Sequence, residues 1–176
     1  FASALGMMVT NLTIGKKKYI DVEAEMEDIR SRLEALQQEL VGLTDRDAEA
    51  FEPLSRAYGL PKETEEQRIE KERVMEKALY EASVVPLQIM KTVFRVMEDL
   101  EVLGEKGSRL AVSDVGVAVL FARAALEGAS LNIYINTRLM KNREQAERLN
   151  QESDELITEA GRLQEKIYTG VLAKIR

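Results

Sequence analysis

The chain has 176 residues and carries 25 Lys and Arg against 31 Asp and Glu, which gives a formal net charge of −6. The acidic balance argues against a nucleic-acid partner, because duplex binders normally carry a broad basic face. The chain contains no Cys and no His, which excludes thiolate nucleophiles, disulfides and the commonest zinc ligands. Any chemistry must therefore use carboxylates, Lys, Arg, Tyr, Ser or Thr, or the backbone.

The length suits one domain with a substantial core, and 45% apolar with 32% charged residues is typical of a soluble globular protein. The apolar run at Phe1 has no basic segment before it, unlike a signal peptide, so we interpret it as a helix whose beginning precedes the sequence. The longest apolar region, 111–135, is interrupted by charged residues and is too broken for a membrane span. We therefore expect a cytoplasmic protein without a membrane partner.

Apolar residues spaced three and four apart predict an all-α fold, a bundle of long, partly kinked antiparallel helices in a single domain over residues 1–176. The first long stripe follows Asp21, its expected N-cap, and continues until Gly59 and Pro61 end the helix. Pro53 should bend this helix or divide it into two.

A second long helix should run from about Thr64 to about Gly104. Pro86 lies on its apolar stripe, and proline has no backbone N–H to donate. The helix should therefore kink at Pro86 and leave the carbonyl of Ala82 without its usual partner.

The third long segment, from Ser113 to about Lys141, is apolar nearly all round and should be the buried central helix. Residues 131–136 alternate as in a strand, but a lone strand would lack a pairing partner, so we predict helix there as well. The last helix, 142–175, is highly charged and has only a thin apolar stripe.

Asp47 conflicts with a plain bundle, and such conflicts concentrate at functional sites. It falls at a core position of the first long stripe, where an unpaired carboxylate is costly and must raise its pKa or find a cation. Pairing with Arg46 or with a neighbouring helix, or a change of register at Pro53, would give it a purely structural role. We favour a functional carboxylate, because perturbed carboxylates mark sites.

Polar residues also interrupt the third apolar segment. Ser113 and Asp114 stand at its beginning, where both are favoured helix caps, and spacing alone favours that structural role. Asn132 and Asn136 lie one turn apart, and buried amides need partners. These amides either bridge helices or hydrogen-bond a polar ligand.

A basic loop follows the first helix, which Gly15 ends. Lys16, Lys17 and Lys18 stand together before Tyr19. The lysines form either a solvated surface or a subsite for an anion such as a carboxylate or phosphate. Tyr19 could stack on a planar ring.

Several of these residues belong to segments that closely resemble the formiminotransferase-cyclodeaminase family. The matches occur in the same order and extend over about three-quarters of the chain. The segments are Asn11–Tyr19 (NLTIGKKKY), Asp47–Lys62 (DxxxFxPLxxAYxLPK), Val85–Leu87 (VPL), Ala111–Ala118 (AVSDVGVA) and Gly128–Asn136 (GASLNIYIN). One departure is the absence of a Pro-Gly-Gly-Gly-Ser stretch before the first helix, so we expect that a segment which completes the ligand site precedes Phe1.

The resemblance implies an all-helical folate enzyme. The expected reaction closes the ring of 5-formiminotetrahydrofolate to 5,10-methenyltetrahydrofolate and releases ammonia. The alternative reaction, a cyclohydrolase, hydrolyses 5,10-methenyltetrahydrofolate to 10-formyltetrahydrofolate. Two carboxylates in a dry pocket can supply the acid and the base for either reaction, without metal or cofactor.

The resemblance also suggests roles for individual residues. Asp47 and Asp114 become the acid and base candidates. The expected binding residues for a tetrahydrofolate substrate, polyglutamylated or not, are Asn11, Lys16, Lys17, Lys18, Tyr19, Ser113, Asn132 and Asn136. The lysines would meet the carboxylates of the glutamate tail, and Tyr19 would flank the aromatic part.

A different class of function is a non-catalytic helical assembly protein, whose apolar stripes serve self-association alone. That class accounts for the stripes but not for a carboxylate in a core position or for paired amides on an apolar helix. A homodimer or larger homo-oligomer is expected in both cases, because the stripes expose more apolar surface than four helices cover.

Overall fold

The computed structural model describes all of residues 1–176, and nearly the whole chain is helical. Its α-helices are α1 (Ala2–Thr13), α2 (Glu23–Tyr58), α3 (Glu65–Lys106), α4 (Val112–Thr137) and α5 (Arg143–Ile175). Two 3-10 helices, Lys17–Val22 and Arg109–Ala111, lie before α2 and α4. The prediction of an all-α bundle is confirmed. None of the helices combines the length and the apolar character that crossing a membrane requires.

The helix ends follow local capping chemistry. The hydroxyl of Thr64 accepts from the backbone N–H of Gln67, and the Gln67 side chain returns a bond to the Thr64 N–H, which forms a capping box. At the start of α5, the side-chain oxygen of Asn142 accepts from the backbone N–H of Gln145, without a returning bond. The prediction that Asp21 caps the first long helix is wrong, because Asp21 lies in a 3-10 helix and α2 begins only at Glu23.

Proline does not end either long helix. α2 continues through Pro53, so it is not divided there, and α3 continues through Pro86. Because Pro86 cannot donate to Ala82, the Ala82 carbonyl accepts instead from the side-chain amide of Asn136 on α4, at 3.1 Å. The prediction of a free carbonyl at Ala82 therefore explains one of the buried amides.

This replacement bond can be tested through stability. Asn136→Ala should lower the free energy of unfolding by about 1–3 kcal/mol, because the buried Ala82 carbonyl loses the donor that takes the place of the missing Pro86 N–H. Adding Pro86→Ala restores a backbone N–H and should recover most of the loss. Asn132→Ala, on the exposed side of the same helix, should change stability by less than about 0.5 kcal/mol. Urea unfolding of the three variants checks these values, and a double variant as unstable as Asn136→Ala would contradict the account.

α3 is the central helix, with α2 and α4 packed on it in antiparallel directions. Two contacts show that α2 and α3 are antiparallel: Glu25, near the start of α2, pairs with Lys106 at the end of α3, and Glu39, farther along α2, pairs with Thr92, earlier on α3. α1 packs against both α2 and α4, and α5 packs against α3 and α4.

The prediction that the third segment is the buried central helix is wrong. α4 buries one side against α1, α3 and α5, while its outer side stays exposed in the single chain. We call the outer residues and their neighbours on the same line the α4 stripe: Leu110, Val117, Leu120, Phe121, Leu131, Ile135 and Leu139. The apolar character all round α4 therefore has two causes, an internal packing face and an external apolar face.

Candidate functional site

Asp47 lies on α2 and is partly buried. Its side chain makes no ion pair or hydrogen bond, and burial alone raises the pKa of its carboxyl above the usual range. Arg46 does not pair with it, and the helix keeps its register through Pro53. Both structural explanations for Asp47 are therefore absent, which leaves a partly buried carboxylate whose raised pKa makes it a stronger base than an ordinary surface carboxylate.

Asp47 shares a helix face with Leu40, about two turns earlier in α2. Leu40 lines an apolar cavity of about 410 Å³ together with residues of α1, α3 and α4: Phe1, Ala2, Ser3, Val93, Val96, Phe121, Ala122, Ala124 and Ala125. The ring of Phe1 stacks on Phe121, with centroids 6.0 Å apart.

The contacts along α3 show which residues of α2 and α4 lie at the same level. Glu39 of α2 accepts from Thr92, and Asp47 lies about 12 Å farther along α2. Because α3 runs in the opposite direction, moving about 12 Å from Thr92 toward the beginning of α3 reaches residues near 84. Asn136 of α4 bonds to Ala82 at that level. Asp47, Asn132 and Asn136 therefore lie at about one level of the bundle, on two helices that both pack on α3, and we call them the Asp47 cluster for this shared level.

The two amides differ in their surroundings. Asn136 is 8% exposed, and its amide N–H is used by Ala82. The side-chain carbonyl oxygen of Asn136 has no hydrogen-bond partner in the chain. Every fully buried polar side-chain atom does have a partner, so this oxygen must be accessible at the surface. Asn132 is exposed and free to meet a ligand.

A second group gathers at the opposite end of the bundle. The hydroxyl of Tyr19 accepts from the backbone N–H of Arg109 at 3.1 Å, and this bond lowers the pKa of Tyr19. Nearby, Thr13 accepts from the Ser108 N–H at 2.9 Å. These bonds attach the basic loop to the turn that precedes α4. We call this group the Asp114 cluster: Asn11, Lys16, Lys17, Lys18, Tyr19, Ser113 and Asp114.

Within this cluster the helix-cap interpretation fails. The N-cap of α4 is Ala111, and neither Ser113 nor Asp114 makes a capping bond. Lys16, Lys17 and Lys18 are exposed, and the Lys18 ammonium lies 5.6 Å from the centroid of the Tyr19 ring. Asn11 accepts only a long bond from Arg30, at 3.5 Å. The exposed Arg109, which sequence reasoning missed, adds a further cation through its place beside Tyr19.

One chain does not bring the two carboxylates together. Val115 lies against Gly104 at one end of α3, whereas the Asp47 cluster lies near Ala82. The helix rise along α3 places Asp47 and Asp114 about 30 Å apart. The predicted site residues therefore form two separate clusters in a single chain.

Comparison with known proteins identifies the family of this chain. A model of the formiminotransferase-cyclodeaminase family matches residues 1–155. The methenyltetrahydrofolate cyclohydrolase of Methylorubrum extorquens is 42% identical over 173 residues, which cover 98% of this chain and 83% of that protein. The crystal structure of a formiminotetrahydrofolate cyclodeaminase from Thermotoga maritima superposes with a TM-score of 0.77 at 31% identity, covering 98% of this chain and 80% of that one.

The formimidoyltransferase-cyclodeaminase of Mus musculus is 29% identical over 158 residues. The match covers 90% of this chain but only 29% of the mouse protein, so the chain spans less than a third of that relative. The ordered motifs, the family match and the shared fold agree over most of the chain. The chain belongs to the formiminotransferase-cyclodeaminase family.

Proposed function

We propose that this chain is a cytoplasmic folate enzyme that hydrolyses 5,10-methenyltetrahydrofolate to 10-formyltetrahydrofolate. The observation that carries the proposal is the 42% identity, over nearly the whole chain, to a protein named as that cyclohydrolase. The proposal includes no metal and no cofactor, and the tetrahydrofolate derivative is the substrate. It includes no nucleic-acid or membrane partner.

The Asp47 cluster supplies groups that this reaction needs. Asp47 takes a proton from water while the water oxygen adds to the methenyl carbon between N5 and N10. The proton held by Asp47 then passes to N5, and the bond between that carbon and N5 breaks. The hydroxyl of the intermediate loses its proton to solvent as the formyl C=O forms, and the formyl group stays on N10. Asn132 and the free carbonyl of Asn136 orient the pterin.

A second candidate is the cyclodeaminase reaction, which is favoured by the likeness to the Thermotoga maritima structure. In that reaction N10 attacks the formimino carbon on N5 and loses its proton. That proton and one from solvent end on the formimino nitrogen, whose bond to the carbon breaks so that it leaves as ammonia. Both reactions pass through a tetrahedral carbon between N5 and N10, so the same carboxylate and amides serve either one.

Near-ultraviolet absorbance of the methenyl chromophore separates the two reactions. Loss of the chromophore from 5,10-methenyltetrahydrofolate, faster than in buffer alone, supports the cyclohydrolase. Gain of the chromophore from 5-formiminotetrahydrofolate, with ammonia released, supports the cyclodeaminase instead. No change with either folate would overturn both and favour the assembly protein.

The basic loop should set the preference for long glutamate tails. Lys18→Ala should raise KM for a pentaglutamyl folate about two- to fivefold more than for the monoglutamate, because one exposed charge contact is worth up to about 1 kcal/mol. Lys77→Ala, an exposed lysine on α3, is the matched control and should affect both folates equally. Equal effects of both variants on both folates would remove the loop from tail binding.

A further inference from the structure

A second cavity lies at the end of the bundle where the chain turns from α2 into α3. Its volume is about 350 Å³, which is within the range of about 300–1,000 Å³ that is usual for small-molecule sites. Its floor is apolar and consists of Met75 and Leu79 on α3 with Leu139 just beyond α4. Its rim is charged, and we call the whole space the Lys62 cavity: Lys62, Arg68, Lys71, Glu72, Glu76 and Lys141.

The two acidic groups of the rim are already engaged within the chain. The carboxylate of Glu76 accepts from the backbone N–H groups of Lys141 and Asn142, at 2.7 and 2.9 Å, and so caps the start of α5. The carboxylate of Glu72 pairs with the ammonium of Lys141. Neither carboxylate therefore neutralises the remaining cations of the rim.

Those remaining cations lack carboxylate partners of their own. The Lys71 ammonium donates to the backbone carbonyls of Tyr58 and Leu60, at 2.8 Å each, and to no carboxylate. Lys62 is exposed, and its ammonium makes no hydrogen bond or ion pair within the chain. Arg68 lies 3.6 Å from Glu65 at the surface, where an ion pair is weak. The rim therefore carries positive charge that is available to an anion.

The floor restricts which anion the cavity can hold well. Leu139 is 49% exposed, and Met75 is partly exposed beside it. A bare anion would leave this apolar surface in contact with water, whereas a ligand with an apolar body would cover it and gain the free energy of that burial. An apolar floor below a cationic rim therefore favours an aromatic or aliphatic carboxylate over a small inorganic ion.

The cavity lies directly beyond the Asp47 cluster. The backbone N–H of Leu139 donates to the carbonyl of Asn136 at 3.0 Å, so the floor begins one turn after that amide. On α3, Leu79 lies about 8 Å and Met75 about 14 Å from the level of Asp47, in the direction of the Lys62 cavity. A ligand held at the Asp47 cluster therefore reaches the cavity if it extends about 10 Å along α3.

The proposed folate substrate has this length and this order of groups. An aromatic ring follows N10, and a glutamate follows the ring. By ordinary bond lengths the glutamate carboxylates lie about 10–12 Å from the carbon between N5 and N10. With that carbon at Asp47, the ring lies over the apolar floor and the carboxylates lie at the rim. Lys16, Lys17 and Lys18 are about 30 Å away, so they can contact only the later glutamates of a long tail.

We propose that the Lys62 cavity binds the aminobenzoylglutamate part of the substrate. Met75, Leu79 and Leu139 contact the aromatic ring, and Lys62 and Lys71 bind the carboxylates of the first glutamate. This inference rests on the proposed function for the identity of the ligand, but binding at the cavity can be measured without turnover.

Binding of p-aminobenzoyl-L-glutamate, followed by NMR titration, tests the cavity by itself. Lys62→Ala should weaken this binding about three- to tenfold, because one charge-assisted contact is lost. Lys62→Arg keeps the charge and should restore most of the affinity. Lys77→Ala, which removes an exposed lysine from the outside of α3, is the matched control and should change nothing. Free glutamate should bind far more weakly than the probe, because it leaves the floor uncovered.

Turnover with and without the glutamate tests the same contact in the enzyme. Lys62→Ala should raise KM for 5,10-methenyltetrahydrofolate by the same factor and leave kcat unchanged, because the contact is present in both the ground state and the transition state. For the pteroate analogue, which lacks the glutamate, the variant and the wild type should have equal KM values. A loss of folding would instead affect both substrates alike.

The outcomes separate this inference from the proposed function. Probe binding that is absent, is unchanged by Lys62→Ala, or is matched by free glutamate would overturn the cavity as the aminobenzoylglutamate site. Turnover with an unchanged KM in Lys62→Ala would keep the folate reaction and overturn the cavity. Binding of the probe as expected, by a protein that turns over neither folate, would support the cavity and reject the proposed reaction.

Discussion

Asp47→Asn should lower turnover of 5,10-methenyltetrahydrofolate by about 100-fold or more, because a positioned general base contributes about 10²–10⁴ to the rate. The amide keeps the shape of the side chain but cannot accept the proton from water. Asp45→Asn, an exposed carboxylate on the same helix, is the matched control and should keep wild-type turnover. Loss of the methenyl absorbance measures both variants.

Stability separates this loss from unfolding. Burial raises the pKa of Asp47, so the folded state favours the protonated carboxyl and bears a cost once the carboxyl is ionised. At pH 7, removing the charge should therefore leave the melting temperature of Asp47→Asn equal to or above that of the wild type. An inactive variant that also melts well below the wild type would contradict this account.

The raised pKa of Asp47 also sets the pH dependence of turnover. A general base works only when it is ionised, so turnover should fall as the pH drops through the pKa of Asp47. Because that pKa is raised, the loss should occur above the ordinary carboxyl range near 4. A rate profile that stays flat down to pH 4 would exclude Asp47 as the base.

The helices and most of their ends could be predicted from the sequence because they depend on local chemistry. Periodicity placed α2, α3 and α5, and Thr64 carried the capping signal of α3. The conflict at Asp47 was also visible in the sequence, because a carboxylate on an apolar stripe can be recognised without knowing which helix packs against that stripe. Pro86 allowed the prediction that the Ala82 carbonyl lacks its usual helical donor, but the sequence did not identify Asn136 as the donor that replaces it.

The relation between the two carboxylates could not be predicted, because periodicity gives the face of a residue and not its level in the bundle. Asp47 and Asp114 each lie on a helix face that suits a site, yet the antiparallel packing on α3 separates them. The outer face of α4 was missed for a related reason. An apolar face indicates that something covers it and does not say whether that is the same chain or another.

A second large effect concerns an ion pair inside the α2–α3 interface. Asp99 is 6% exposed, and its carboxylate accepts from the Nε of Arg32 at 3.0 Å and from a second nitrogen of the same guanidinium. The bond to Asp99 raises the pKa of Arg32. The two residues stand 67 positions apart, so sequence spacing gave no sign of the pair.

Arg32→Met should lower the free energy of unfolding by about 2–4 kcal/mol, because it leaves the Asp99 carboxylate buried without a partner. The range lies below that of a fully buried pair, since the Arg32 side chain is 46% exposed and water screens part of the interaction. Arg30→Met, an exposed arginine on the same helix, should cost less than about 0.5 kcal/mol.

The double variant Arg32→Met/Asp99→Leu distinguishes the cost of a lone buried charge from the loss of a favourable pair. An apolar pair of similar volume is often as stable as the ion pair it replaces, so the double variant should recover most of the stability lost by Arg32→Met. Urea unfolding at one fixed protein concentration measures all variants, because association shifts the apparent stability. A double variant less stable than Arg32→Met would mean that the ion pair itself, rather than the need to avoid an isolated charge, holds α2 on α3.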